Sequence, residues 1–230
     1  METAEDFHSR GVAYHDQGDY THAIADYDQA IALQPDYALA YFSRGFTYYD
    51  QKDYTHAIAD YDQAIALQPD IFLTYFYRGL AYYDRGDLDR AIADYNQAII
   101  LQPDYADAYN NRGNAYYDQG DYNRAIADYD QAIALQPDYA DAYNNRGIAY
   151  YDQGDYNRAI ADYDQVITLQ PDDALAYFNR GLAYYELGDY NRAIADYDQA
   201  IALQPDDAKA YYNRGVAYHD RGDLDHAIAD

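Results

Sequence analysis

Cysteine and tryptophan are absent from this chain, methionine occurs once, at the first residue, and serine only at Ser9 and Ser43. Without thiols there is no disulfide, no thiolate metal ligand and no cysteine nucleophile. Neither serine stands in a nucleophile-elbow context. Paired acids such as Asp128 and Asp130 are two apart, a spacing that points them to different sides of a helix. We read no catalytic constellation, no cofactor site and no metal site. His8, His15 and His22 recur every seven residues, which puts the first two on one helix face but ~10 Å of rise apart, too far for one ion to bridge. The Asp118–Asp121 turn lacks the spacing and closing Glu of a calcium loop.

Positive charge is scarce as well: 15 Lys and Arg against 41 Asp and Glu give a net charge of −26 and a pI near 4.1. Phosphate backbones and anionic lipid surfaces are repelled by such a chain, so nucleic acid and membrane are excluded as expected partners. No apolar run approaches the ~18 residues that span a bilayer. The start, METAED, lacks the basic segment of a signal peptide, and the cytoplasm is the expected compartment. The acid also serves solubility in a chain with 34 tyrosines.

What is present is a period. Proline recurs at residues 35, 69, 103, 137, 171 and 205, every 34 residues. Residues 106–139 differ from 140–173 at only four positions: Asn114/Ile148, Ala132/Val166, Ala134/Thr168 and Tyr139/Asp173. The copies run 4–37, 38–71, 72–105, 106–139, 140–173 and 174–207, with a truncated seventh at 208–230. A unit this short is marginal alone and gains a core by stacking on its neighbours. One array over 4–230 is therefore expected. Because residue 230 falls inside a helical pattern, the array is expected to continue beyond it.

Within residues 106–139, Tyr109, Gly113 and Tyr116 form one helical stripe, and Ala125, Ile126, Tyr129, Ala132 and Ile133 form a second. Gly120 ends the first helix and Asp121 caps the second, while Pro137 closes the unit and Asp138 is placed to cap the next first helix. The predicted class is all-α, an α-solenoid (superhelix) of stacked 34-residue helix-turn-helix repeats. Gly113, Ala125 and Ala132 allow close helix approach. Val166 stands where the other complete copies have Ala, and local strain or displacement is expected there. Arg10, Arg44, Arg78, Arg112, Arg146, Arg180 and Arg214 lie on the first stripe. Half-buried guanidinium groups need carboxylates, and Asp26, Asp60, Asp94, Asp128, Asp162, Asp196 and Asp230 of the second helices form the matching series.

The pattern of Tyr109, Gly113, Tyr116, Ala125, Tyr129, Ala132 and Pro137 resembles the tetratricopeptide repeat, whose period is also 34. The resemblance covers 4–230; its departure is the stripe Arg where the family pattern has Leu. It implies antiparallel helix pairs whose first helices line a concave groove for a peptide or partner helix, a fold of adaptors and scaffolds.

By that resemblance the groove carries an acid ladder that includes Asp50, Asp84, Asp118, Asp152 and Glu186, with Asp16 and Asp220 at its ends. Beside it runs an aromatic ladder of Tyr49, Tyr83, Tyr117, Tyr151 and Tyr185. One turn away the copies diverge. Copies two, three and six offer Phe42, Phe46, Phe76, Leu80 and Phe178, with Leu39, Leu73, Leu175 and Leu182, whereas copies four and five offer Asn110, Asn114 and Asn144 beside Asp107 and Asp141. Asn114 and Asn145 match the amide members of a carboxylate clamp known in some relatives, but Asn110, Leu175 and Asn179 hold its cationic slots, which argues against a chaperone-tail adaptor. The expected function is a non-enzymatic protein–protein interaction scaffold for an extended, basic and partly apolar peptide segment. The alternatives are a regulatory or targeting arm of a longer polypeptide, a module that homo-oligomerises through its end repeats, and carbohydrate binding by tyrosine stacking.

Overall fold

A computed structural model describes residues 2–227 of the chain. Its helices pair off in chain order: α1 (Ala4–Asp16) with α2 (Tyr20–Leu33), α3 (Ala38–Asp50) with α4 (Tyr54–Leu67), and α5 (Phe72–Asp84) with α6 (Leu88–Leu101). Then come α7 (Ala106–Asp118), α8 (Tyr122–Leu135), α9 (Ala140–Asp152) and α10 (Tyr156–Leu169). The last are α11 (Ala174–Glu186), α12 (Tyr190–Leu203), α13 (Ala208–Arg221) and α14 (Leu224–Ala227). Two compact units, Met1–Gln119 and Gly120–Asp230, divide them. In each, every helix packs against the next, and each first helix also touches the following first helix.

Second helices start on an aspartate. Asp121 and Asp155 accept from the backbone N–H groups of Arg124 and Arg158, satisfying a donor that the first turn leaves unpaired. First helices behave otherwise than the sequence suggests. The N-cap of α9 is Tyr139, with no side-chain cap bond, so Asp138 sits one residue too early. Where that residue is itself an aspartate, as at Asp173 and Asp207, its carboxylate does accept the N-terminal N–H groups.

The core is a row of tyrosines. Tyr27, Tyr61, Tyr95, Tyr163 and Tyr197 are each no more than 2% exposed. Each lies flat on a glycine sixteen residues earlier: a Cβ built on Gly147 would stand 2.7 Å from Cε1 of Tyr163. Alanines flank the rings, and Ala125, Ala132, Ala159 and Ala193 are completely buried. Removing one such ring from water contributes about 1.5–3 kcal/mol, which requires the neighbouring helices to be in place. Val166 is buried in an uninterrupted α10 whose C-cap geometry matches that of its counterparts. The displacement expected there is absent from that helix end.

Candidate interaction surface

Every groove residue named from the sequence falls on a first helix. Phe42, Phe46, Tyr49 and Asp50 are on α3, Phe76, Leu80, Tyr83 and Asp84 on α5, and Asn110, Asn114, Tyr117 and Asp118 on α7. Asn144, Tyr151 and Asp152 are on α9, and Phe178, Tyr185 and Glu186 on α11. Two of them are covered: Phe76 is 6% and Asn110 5% exposed, so they back the surface without presenting it.

The two ladders are bonded to each other. Tyr49 donates its hydroxyl to Oδ2 of Asp84 at 2.6 Å, and Tyr83 to Oδ2 of Asp118 at 2.5 Å. In the second unit Tyr151 donates to Glu186 at 3.4 Å and Tyr185 to Asp220. His15 takes the tyrosine's place at the start, with Nε2 2.9 Å from Asp50. Each link spans 35 residues, one more than the repeat, so a side chain meets the position one further along in the next first helix. The same offset joins His8 to Ser43 at 2.9 Å and Asn144 to Asn179 at 3.4 Å. His8, His15 and His22 thus turn to three separate partners, Ser43, Asp50 and Asp19.

Electrostatics keep these tyrosines protonated. Burial, followed by the Glu186 carboxylate, pushes Tyr151 up to about 12; for Tyr185 the hydrogen bond to Asp220 comes first and gives the same value. Tyr49 and Tyr83 are raised further, chiefly by burial. Asp220 is held below the ordinary carboxylate range by the hydroxyl it accepts and by His219. The acids occupy the last position of their first helices, the negative end of the helix dipole, where a carboxylate is disfavoured by about 0.3–1 kcal/mol. Repetition of an unfavourable charge in one row leaves a surface that a cation relieves.

Behind this surface run the arginines. Arg44, Arg78, Arg146 and Arg180 each grip, through Nε and Nη2, the aspartate sixteen residues later: Asp60, Asp94, Asp162 and Asp196. Arg10 holds Asp26 likewise, while Asp230, the expected partner of Arg214, lies outside the described residues. The sequence reading missed a third bond. Nη1 reaches back to the second helix of the preceding repeat, at Asp28, Asp62, Asn96, Asp130, Asp164 and Asp198 for Arg44 through Arg214. The signal was available, since Asp recurs two positions after the gripped one, except at Asn96.

Among the described residues no helix is long and apolar enough to cross a membrane. The sequence profile of the family described as TPR repeat matches residues 11–52, 47–86, 79–120, 113–154, 149–188 and 181–222. A solved tetratricopeptide repeat protein from Parabacteroides merdae ATCC 43184 is 21% identical, with a TM-score of 0.78 over 98% of this chain and 90% of that one. MamA is 30% identical, with a TM-score of 0.67 over 72% of this chain and 96% of its own. YrrB, described as a TPR protein with an unusual peptide-binding site, is 21% identical, with a TM-score of 0.68 over 80% and 95%. Likeness at 21% carries the fold alone. No curated protein matches the sequence.

Proposed function

Since the chain belongs to the tetratricopeptide repeat family and is a protein-interaction scaffold of the α-solenoid class, we propose that its first helices receive an extended, basic and partly apolar peptide segment. The row of carboxylates at the C-terminal ends of α3, α5 and α7 carries this reading. Successive first helices touch, and packed helices lie about 8–10 Å apart, comparable to the ~8 Å Debye length of physiological salt, so the fields of successive acids add along the surface. Charge then sets encounter rate and selectivity, and apolar contacts at Phe42, Phe46 and Leu80 supply affinity. The role is binding without catalysis, and a single array over 4–230 is part of the same reading. Titration of matched Lys-rich and Glu-rich peptides at two salt concentrations tests it. Tighter binding of the basic peptide, weakened by salt, is expected; tighter binding of the acidic one, or indifference to salt, overturns it.

A second reading is association of copies through the end repeats. The exposed side chains of Tyr212 and Leu224, beside a concavity lined by Tyr211 and Val216, favour it. Sedimentation that stays monomeric across the accessible concentration range dismisses it.

A further inference from the structure

Next to Phe42 the array lacks a ring that its neighbours have. In the repeat before, Tyr37 covers His8, ring centroids 5.3 Å apart. In the repeat after, Tyr105 covers Phe76 at 5.0 Å and Phe72 at 5.1 Å. The residue midway between Tyr37 and Tyr105 in the repeat is Ile71, and the one midway between His8 and Phe76 is Phe42. Ile71 is 41% exposed, and Phe42 is left half-buried where Phe76 is closed over. The consequence is a cavity of about 440 Å³ between the starts of α3 and α5, walled by Leu39, Phe42, Ala64, Ile71 and Leu73 with Asp36 at its edge. Its size lies in the ~300–1,000 Å³ range of small-ligand sites. The other sides of Phe42 are already occupied, by Tyr61 at 5.8 Å and Tyr77 at 5.6 Å.

We propose that this cavity is a specificity pocket for an aromatic side chain of the bound segment, flanked in that segment by Lys or Arg. The proposal rests on the groove reading above and names the residue that the groove selects. The chain itself shows what fits, since Tyr37 and Tyr105 occupy the equivalent space with tilted and edge-on rings. Such packing favours an aromatic ring over an aliphatic chain. The charge of the occupant's neighbours follows from Asp36 at the pocket edge and from Asp70, exposed beside Ile71. Equivalent positions in copies four and five carry Asp107, Asn110, Asp141 and Asn144, so the apolar wall is not a general property of the repeat.

The experiment has two arms. In the first, p-cresol, the tyrosine side chain without its backbone, is titrated into the full chain while the methyl resonances of Leu39, Ile71 and Leu73 are followed. All three are expected to shift in the wild type, and those of Leu39 and Leu73 to stay fixed in Ile71→Tyr, which restores the plug used by copies one, three and four. Absence of shifts in the wild type, or equal shifts in the variant, overturns the pocket. In the second arm the pentapeptides Lys-Lys-Phe-Lys-Lys and Lys-Lys-Ala-Lys-Lys are compared. The first is expected to bind about tenfold or more tighter, the size of effect of one buried aromatic anchor. Ile71→Tyr and Leu39→Asp, the latter the residue of copies four and five, should each abolish that difference. Equal binding of the two peptides overturns the pocket and leaves the groove reading standing. Methyl shifts with p-cresol but no binding of either peptide overturn the groove reading and leave the pocket.

Discussion

Arg146 grips Asp162 with two parallel bonds, Nε to Oδ2 at 2.9 Å and Nη2 to Oδ1 at 2.6 Å, while its third nitrogen donates to Asp130 of the preceding repeat at 2.5 Å. One guanidinium therefore ties together three helices, α8, α9 and α10. Burial pushes the Asp162 carboxyl above its ordinary range, with Arg146 opposing, while Arg146 itself is held protonated by its two carboxylates. The cost of desolvation makes the pair weak evidence for stability, but removal of one partner strands the other.

Arg146→Ala is accordingly expected to destabilise α9 and α10 by about 3 kcal/mol or more. Asp130→Ala should cost under ~1 kcal/mol, because the Asp130 side chain is 53% exposed. Native-state hydrogen exchange resolves the two, since repeats open locally. Unchanged protection of α9 and α10 in Arg146→Ala contradicts a structural role for the arginine.

The buried tyrosines differ in one atom's surroundings. The hydroxyl of Tyr61 is buried without a hydrogen-bond partner among the described residues; burial pushes that of Tyr27 up to about 12, with the Thr47 hydroxyl, in the position that Ala81 takes beside the next ring, opposing the rise. Tyr61→Phe should leave stability within ~0.5 kcal/mol or raise it, and Tyr27→Phe should lower it by about 1 kcal/mol. Urea unfolding of the two variants decides; equal losses would mean that the Tyr61 hydroxyl is bonded in solution.

At Lys52 the backbone is left-handed, with φ of 61°, at the turn where the other repeats carry glycine. A Cβ in that conformation costs about 1–2 kcal/mol. Lys52→Gly should raise the stability of the α3–α4 hairpin by about 1 kcal/mol, offset in part by the entropy of glycine in the unfolded chain. A melting temperature that falls on substitution refutes this.

The N-cap Asp155 accepts from Arg158 Nε at 2.6 Å and from its backbone N–H at 3.1 Å, which hold the carboxyl below its ordinary value of 3.8. A depressed folded-state pKa adds stability above the unfolded value and loses it as pH falls through the folded one. Asp155→Asn, which keeps an acceptor but not the charge, should be less stable than wild type at pH 7. The gap should close as pH drops below 3.8. A gap constant from pH 7 to 3 shows that the charge contributes nothing.

The period, the helix pairs, the caps of the second helices and the Arg–Asp grip could all be read from the chain, because each depends on residues within one repeat. Tyr163 over Gly147 and Asp162 opposite Arg146 lie sixteen residues apart, a separation fixed by a helix, a turn and a helix. What lay beyond reach depends on how one repeat meets the next. The 35-residue step that hands the Tyr49 hydroxyl to Asp84 and the burial of Phe76 beneath Tyr105 follow from packing between one helix pair and the next. Composition determined an acidic chain; only the tertiary structure decided which of those acids are tethered to tyrosines, and that Ile71, where copies one, three and four carry Tyr, leaves Phe42 half-buried. Local spacing determines helices, but side-chain neighbours across an interface are set by the crossing of whole helices, which no short window of sequence contains.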